Sequence, residues 1–372
     1  MIHGILELSG KNGGGALRRR ETGYQPDSRD LVIAAQAIRQ LGLRPGDEIE
    51  GELARGGRPT LASVATINGR PAADVRNRPD YDRLTAIHPN QQLRLECPLI
   101  RRGQPDATNR VIDLLCPFGK GQRALIVAQA KAGKTMVLEA IAQGAAVNYP
   151  AAKLFILLVD ERPEEIFEIE AAGFGEVIAS SFDNPPARHV ACAELVLERA
   201  RRRVELGEDV VLIVDSLTRL ARAYNAVVKG SGRTLSGGMG AESMERPKRF
   251  LGSARQVAPQ AGGGSLTIVA TALIDTGSKM DQLIYEEFKG TGNSELVLSR
   301  ELADRRIFPA IDVIASGTRK EELLLSPEAL AASQAIRRQI DRMTPAAAME
   351  MVLGLMKRHP DNASLIRSFA SP

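Results

Sequence analysis

At 372 residues the chain exceeds one ordinary domain and calls for two or three. A hydrophobic content of 44% supports buried cores, and a formal charge of +4 excludes a polycationic tail as the basis of partner choice. Three cysteines without a CxxC pair, four scattered histidines and no signal peptide or long apolar span exclude a disulfide framework, a zinc site and a membrane anchor, so a soluble, cytoplasmic protein is expected.

In chain order, short β-like runs at 5–8, 31–33, 47–53 and 61–67 alternate with Gly13-Gly14-Gly15, Pro45-Gly46 and Gly56-Gly57. That spacing predicts a small all-β barrel over residues 1–70. Residues 71–110, rich in Pro, Asn, Asp and Arg, predict a connector with little core. From Val111 apolar strands alternate with helices, which predicts βαβ units around a parallel sheet over 111–372. Buried strands are expected at 153–159, 210–214 and 265–270, each ending near polar or acidic residues, as where strand ends line a ligand crevice. The glycine-rich segments 229–240 and 261–264 predict loops. Ser326-Pro327 and Thr344-Pro345 pair a hydroxyl N-cap with proline at the first helical position, so the C-terminal part reads as helical.

The chemistry concentrates in the parallel half. Residues 123–135 read RALIVAQAKAGKT, a β-branched run, a loop closed by Gly133-Lys134-Thr135, and a helical pattern from Met136. In such a loop, backbone N–H groups wrap the β-phosphate and Lys134 neutralises the outer phosphates. The Thr135 hydroxyl can ligate Mg²⁺, and the helix N-terminus faces the anion. Ala128 stands where the strict pattern has glycine, and an Ala/Gly-rich strand-to-helix turn is the competing reading. Asp215, after VVLIV, can hold Mg²⁺ through water on the side of Thr135, or cap the helix that follows. Glu161 ends a strand expected to neighbour the phosphate-loop strand, and can activate the water that attacks the γ-phosphate. Arg162 beside it can contact that water or the phosphate. Glu164 and Glu165 fall where a helix begins, and the helix dipole accounts for them.

The segments AQAKAGKT, LLVDERPEE, VDSLTRLARAYN, RPKRFLGSAR, ATALIDTGSKMD, YEEFKGTGNSEL and FPAIDVIASGTRKEELL follow one another in an order that resembles the Rho family of bacterial transcription termination factors. The resemblance runs almost unbroken over 111–325 and weakens outside. It implies an α/β RecA-like P-loop NTPase core, with a small N-terminal OB-like barrel and a helical C-terminal end. It also implies a homohexameric ring that uses ATP and Mg²⁺ to move along single-stranded RNA and dislodge the RNA polymerase elongation complex. By resemblance Lys131, Ala132, Gly133, Lys134 and Thr135 bind phosphates and Mg²⁺, with Met136 nearby and Asp215 on the metal side. Glu161 is then the catalytic base, Arg162 a γ-phosphate sensor and Phe308 an adenine-stacking ring. Arg319 resembles an arginine finger given to the neighbouring subunit, Arg306 a second interface arginine, and Glu295 a residue coupling that interface. Arg233, Thr234 and Ser236 resemble a first RNA-contacting pore loop, and Thr276, Gly277, Ser278 and Lys279 a second.

The barrel departs from the family pattern. Where the family carries a Gly-Phe-Gly-Phe-type strand, this chain has Gly13-Gly14-Gly15-Ala16-Leu17-Arg18, and a family tyrosine falls near Val32. Base–aromatic stacking contributes about 1–3 kcal/mol per base, so losing two platforms weakens RNA binding by roughly 2–6 kcal/mol. Arg18, Arg19 and Arg20 could restore a salt-sensitive attraction for phosphate. An RNA-independent ring ATPase related to rotary or export ATPases, an RNA-binding ring with little motor activity, and a small-molecule phosphotransferase stay open as alternatives.

Overall fold

Two sheets organise the computed structural model, which describes residues 2–9, 13–53, 61–101, 103–227, 238–240 and 242–370. The N-terminal sheet is antiparallel throughout, with strands in the order Leu31–Ile33, Gly15–Arg18, Ile2–Leu8, Glu48–Leu53, Leu61–Ile67 and Arg70–Pro71. Alternation sends Leu6, Leu17, Ile33, Ile49 and Ile67 into one small core, closed by Ile38 from helix Ala35–Leu41. That helix and the strand Gly15–Arg18 have no clear period in the sequence. The strand begins on the last residue of a glycine run, and a Cβ on Gly15 would sit 2.6 Å from the Glu7 carbonyl oxygen.

The second sheet runs Glu176–Ser181, Lys153–Glu161, Asp209–Asp215, Ser265–Leu273, Arg123–Ala128, Ser294–Leu298 and Gly317–Thr318. The first six strands are parallel and the last is antiparallel. Its apolar strands are covered on both faces, as parallel sheets require. Leu138 and Ile141 of helix Lys134–Asn148, with Ile336 and Val352 of the C-terminal helices, pack on one face. Helices Pro186–Val204, Leu217–Val227, Glu245–Gly252 and Lys279–Thr291 cover the other. The predicted caps form: Ser326 and Thr344 accept from the amides of Ala329 and Ala347.

Two expectations change. The strand that ends in Glu161 does not neighbour the phosphate-loop strand: Asp209–Asp215 and Ser265–Leu273 lie between them. Order in the chain does not dictate order in a doubly wound sheet, because each helical crossover can skip strands. The connector is also well packed. Val75, Tyr81, Leu84, Leu93, Leu95 and Leu99 are buried, and Ala86–Ile87 adds a strand beside Arg255–Val257. These apolar residues stand singly at irregular spacing, so no period betrays them.

The barrel docks on helix Pro186–Val204 through a buried ion network. Arg78 reaches Asp47 at 2.7 Å and Glu205 at 2.8 Å, while Arg44 meets Glu205 at 2.9 Å. Gly46, at φ +84°, lets the two backbones touch, since a Cβ there would stand 2.4 Å from the Arg199 nitrogen.

Candidate functional site

The phosphate loop lies where strand Arg123–Ala128 gives way to helix Lys134–Asn148, at the C-terminal ends of the parallel strands. Gly133 caps that helix in the left-handed region at φ 85°, leaving the first-turn amides directed out of the helix. Lys134 projects across two intervening strand ends. Its Nζ donates to Asp215 Oδ1 at 2.6 Å and to Glu161 Oε1 at 3.3 Å. Burial opposes the charge on Lys134, but the Asp215 and Glu161 carboxylates outweigh it and hold the ammonium above the ordinary lysine range. The structure therefore brings Lys134, Glu161 and Asp215 into one cluster, with Thr135 in the adjoining helical turn.

Other groups brace that cluster. Thr271 Oγ1 donates to Asp215 Oδ1 at 2.7 Å, and Arg219 Nη1 pairs with Glu161 Oε2 at 3.2 Å and also donates to the Asp160 carbonyl. Burial and a hydrogen bond with Glu165 push the Glu161 carboxyl above the usual glutamate range, against the pull of Lys134 and Arg219. Arg219 and Thr271 were missed in the sequence. Their signals are faint: a cation one helical turn past Asp215, and one of three buried hydroxyl residues in the strand Ser265–Leu273.

Phe308 lies over the loop, its Cε1 3.6 Å from where a Gly133 Cβ would be, and Met136 Sδ lies 4.0 Å from the same point. Lys131, at φ 65°, is exposed, and Ala132 is buried behind it. Arg162 is 69% exposed and, among the described residues, pairs only with Glu165, at 4.0 Å. Arg306 and Arg319 are exposed and form no ion pair with Glu161 or Asp215 among the described residues. Glu295 is half-buried on the strand beside the phosphate-loop strand, in register with Leu125.

Thr135 and Asp215 offer hard oxygen donors suited to Mg²⁺. No group of three or more His, Cys, Asp or Glu able to hold a metal occurs among the described residues, so an ion here would need phosphate oxygens and water to complete its shell.

Of the RNA-facing candidates, Arg233, Thr234 and Ser236 lie outside the described residues. The second loop ends in a capped helix: Ser278 Oγ accepts from the Asp281 amide at 3.3 Å and Thr276 Oγ1 donates to Asp281 at 2.6 Å. Those hydroxyls are spent on the cap. Lys279 remains exposed, and nothing lies within 4 Å of a Cβ on Gly277. This loop touches the phosphate loop, with Ile274 N donating to Ala128 O at 3.1 Å and Gln129 Nε2 to Asp275 Oδ2 at 2.5 Å.

In the barrel, Ala16 pairs across strands with Val32, and Val32 is 69% exposed where a ring would stack. Arg18 is held by Glu7 and, at 2.6 Å, by Asp30, while Arg19 pairs with Asp27 at 2.9 Å. Arg20 alone of the three has no carboxylate partner among the described residues.

Residues 108–318 match the family model described as ATP synthase alpha/beta family, nucleotide-binding domain, and residues 2–73 match Rho termination factor, RNA-binding domain. The chain is 52% identical over 355 residues to transcription termination factor Rho of Gemmatimonas aurantiaca, covering 95% of this chain and 48% of that protein. It thus spans about half the length of that relative. Against the Rho proteins of Escherichia coli K12 and Cereibacter sphaeroides, identity is 49% and 45%, covering 94% and 98% of this chain and 83% and 86% of theirs. Among solved structures, a prototypical ATPase from the type III secretion system of pathogenic bacteria superposes with a TM-score of 0.63 at 24% identity, covering 86% of this chain and 92% of that one. That likeness concerns the fold.

Proposed function

Because the chain belongs to the Rho family of transcription termination factors, we propose that it is an RNA-dependent ATPase that translocates along nascent transcripts and terminates transcription. The observation that carries this reading is the Lys134 ammonium held between Glu161 and Asp215 at the mouth of a phosphate loop. A γ-phosphate entering the loop competes for Lys134 and releases Glu161. The freed carboxylate, with a raised proton affinity and its second oxygen fixed by Arg219, accepts the proton of the attacking water. When bound between Thr135 and Asp215, Mg²⁺ would neutralise charge on the β- and γ-phosphate oxygens. Lys131, Ala132 and Gly133 cradle the phosphates, and Phe308 with Met136 forms the base-side wall.

Arg319 and Arg306 act in trans. Exposed and without a carboxylate of this site, they complete a neighbour's pocket in a homohexameric ring, with Glu295 coupling the interface and Arg162 sensing the γ-phosphate. Lys279 follows RNA phosphates in the pore, a role the family resemblance also gives to Arg233, Thr234 and Ser236. The contacts from Ala128 and Gln129 to Ile274 and Asp275 link hydrolysis to that loop. The barrel, without rings on its exposed face, holds RNA weakly. The work is done in the cytoplasm on the RNA polymerase elongation complex.

ATP turnover by the purified chain, with and without single-stranded polyribonucleotide, tests the reading. Turnover should rise severalfold with RNA. Equal rates in both conditions would instead favour an RNA-independent ring ATPase.

A further inference from the structure

The helices that follow the two RNA-facing loops wall a groove on the barrel side of the motor. Helix Glu245–Gly252 comes after the glycine-rich segment and helix Lys279–Thr291 after Thr276–Ser278, and Lys248 joins them through Glu287 at 2.7 Å. Between these helices and the connector lies a cavity of about 810 Å³, lined in part by Arg201, Lys248, Arg249 and Arg255. A second cavity of about 360 Å³ shares Arg201 and Arg249 with it and reaches Pro45 of the barrel. Together they form a path from the barrel to the base of the loop-bearing helices.

Tyr81 of the connector holds the floor. Its ring is buried, and its hydroxyl donates to the Ser253 carbonyl at 2.5 Å. Two guanidinium groups pack against this one ring, Arg255 at 4.5 Å and Arg201 at 5.4 Å from its centroid. Arg201 spends its Nη atoms on Glu198 and Ser253, while its buried Nε has no partner among the described residues. Arg255 donates only to the Tyr81 carbonyl, at 3.4 Å, and has no carboxylate partner among the described residues. Glu198 neutralises Arg201 at 2.8 Å, so Arg255 carries the uncompensated charge on this ring and suits an oxyanion entering from the groove. The other cations sit in exposed pairs, Lys248 with Glu287 and Arg249 with Glu245. Exposed pairs of this kind contribute little to stability, so exchanging a carboxylate for a phosphate costs little. Tyr81, Tyr224 and Phe250 are all buried, so the lining offers cations for a backbone and no exposed ring for stacking.

We propose that this groove seats the sugar–phosphate backbone of single-stranded RNA between barrel and pore, with Arg201 and Arg255 gripping a phosphate. It rests on the RNA-motor reading above, and it supplies a hold on the strand that the ring-poor barrel lacks.

The test measures binding of a fluorescent oligocytidylate to the full chain as a function of salt, for the unmodified protein and for Arg255→Gln, Arg249→Glu and Asp82→Asn. Each phosphate contact adds about 0.7 to the slope of log affinity against log salt. Arg255→Gln should flatten the slope by about that amount. Arg249→Glu, at a side chain 75% exposed and therefore tolerated by the fold, should weaken binding at low salt even if Arg255→Gln destabilises the chain. Asp82→Asn removes a lining carboxylate that forms no ion pair among the described residues, and should tighten binding. Unchanged slope and affinity in all three, in protein whose turnover is still RNA-stimulated, overturns the groove and spares the motor. Absent RNA stimulation in the unmodified chain overturns both. Titration with inorganic phosphate separates the sources: phosphate binding lost in Arg255→Gln, with an unchanged RNA slope, assigns the groove to a free ion and also overturns the proposal.

Discussion

At the scale of single residues, the account depends on what holds Glu161. Its two oxygens face Lys134 and Arg219, and burial still leaves it with a higher proton affinity than a free glutamate. Glu161→Gln keeps the shape and removes the base, so turnover should fall about 10²–10⁴-fold while nucleotide binding persists, checked by single-turnover hydrolysis and a fluorescent-nucleotide titration. The raised pKa fixes the sign of the pH dependence. The working form is the carboxylate, so as pH falls turnover should be lost through a midpoint above the usual glutamate value. An acid limb at or below that value in a kcat–pH profile would contradict the assignment. Lys134, Thr135, Glu161 and Asp215 are legible in the sequence because loop closure and strand ends mark them. Arg219 and Thr271 are not, because a brace is defined by the side chain it touches, and that contact exists only after the crossovers are laid down.

At the scale of elements, the barrel and its dock separate into two problems. The exposed strand face has Val32 and Ala16 where stacking would occur, and two of the three nearby arginines are spent on carboxylates. Val32→Tyr should therefore strengthen single-stranded RNA binding by about 1–3 kcal/mol, read by fluorescence anisotropy; no gain would mean that RNA does not cross this face. The dock is a different matter. Arg78 is almost wholly buried between Asp47 and Glu205, and Arg78→Ala leaves both carboxylates without it. A loss of about 3–5 kcal/mol is expected, seen as a lowered first unfolding transition in calorimetry. Strands at 31–33 and 61–67 and the two C-terminal caps were readable, since alternation and N-cap chemistry are local signals. The connector was not, because its buried residues pack against distant partners without a period of their own.

At the scale of the whole molecule, fold class follows from alternating strands and helices, but the order of strands does not. Two strands separate the strand that ends in Glu161 from the phosphate-loop strand, and Lys134 spans that distance. The reach joins nucleotide chemistry to Asp215 in between, and the neighbouring strand, Ser265–Leu273, leads directly to the loop bearing Lys279. In the proposed ring, one chain carries half of each pocket: phosphate loop, base and metal side here, arginines for the next copy. Two defective proteins make the claim testable. Lys134→Ala destroys the chain's own pocket and keeps its finger, while Arg319→Ala keeps the pocket and removes the finger, at an expected cost of about 10³–10⁵ in rate. The decisive measurement is RNA-stimulated ATP turnover of the two variants alone and after mixing under conditions that allow subunit exchange. Each alone should be nearly inactive, and the mixture should recover RNA-stimulated turnover as intact pockets form between unlike subunits. A mixture no more active than its parents, or an Arg319→Ala protein as fast as the unmodified chain, would contradict an ATPase completed in trans.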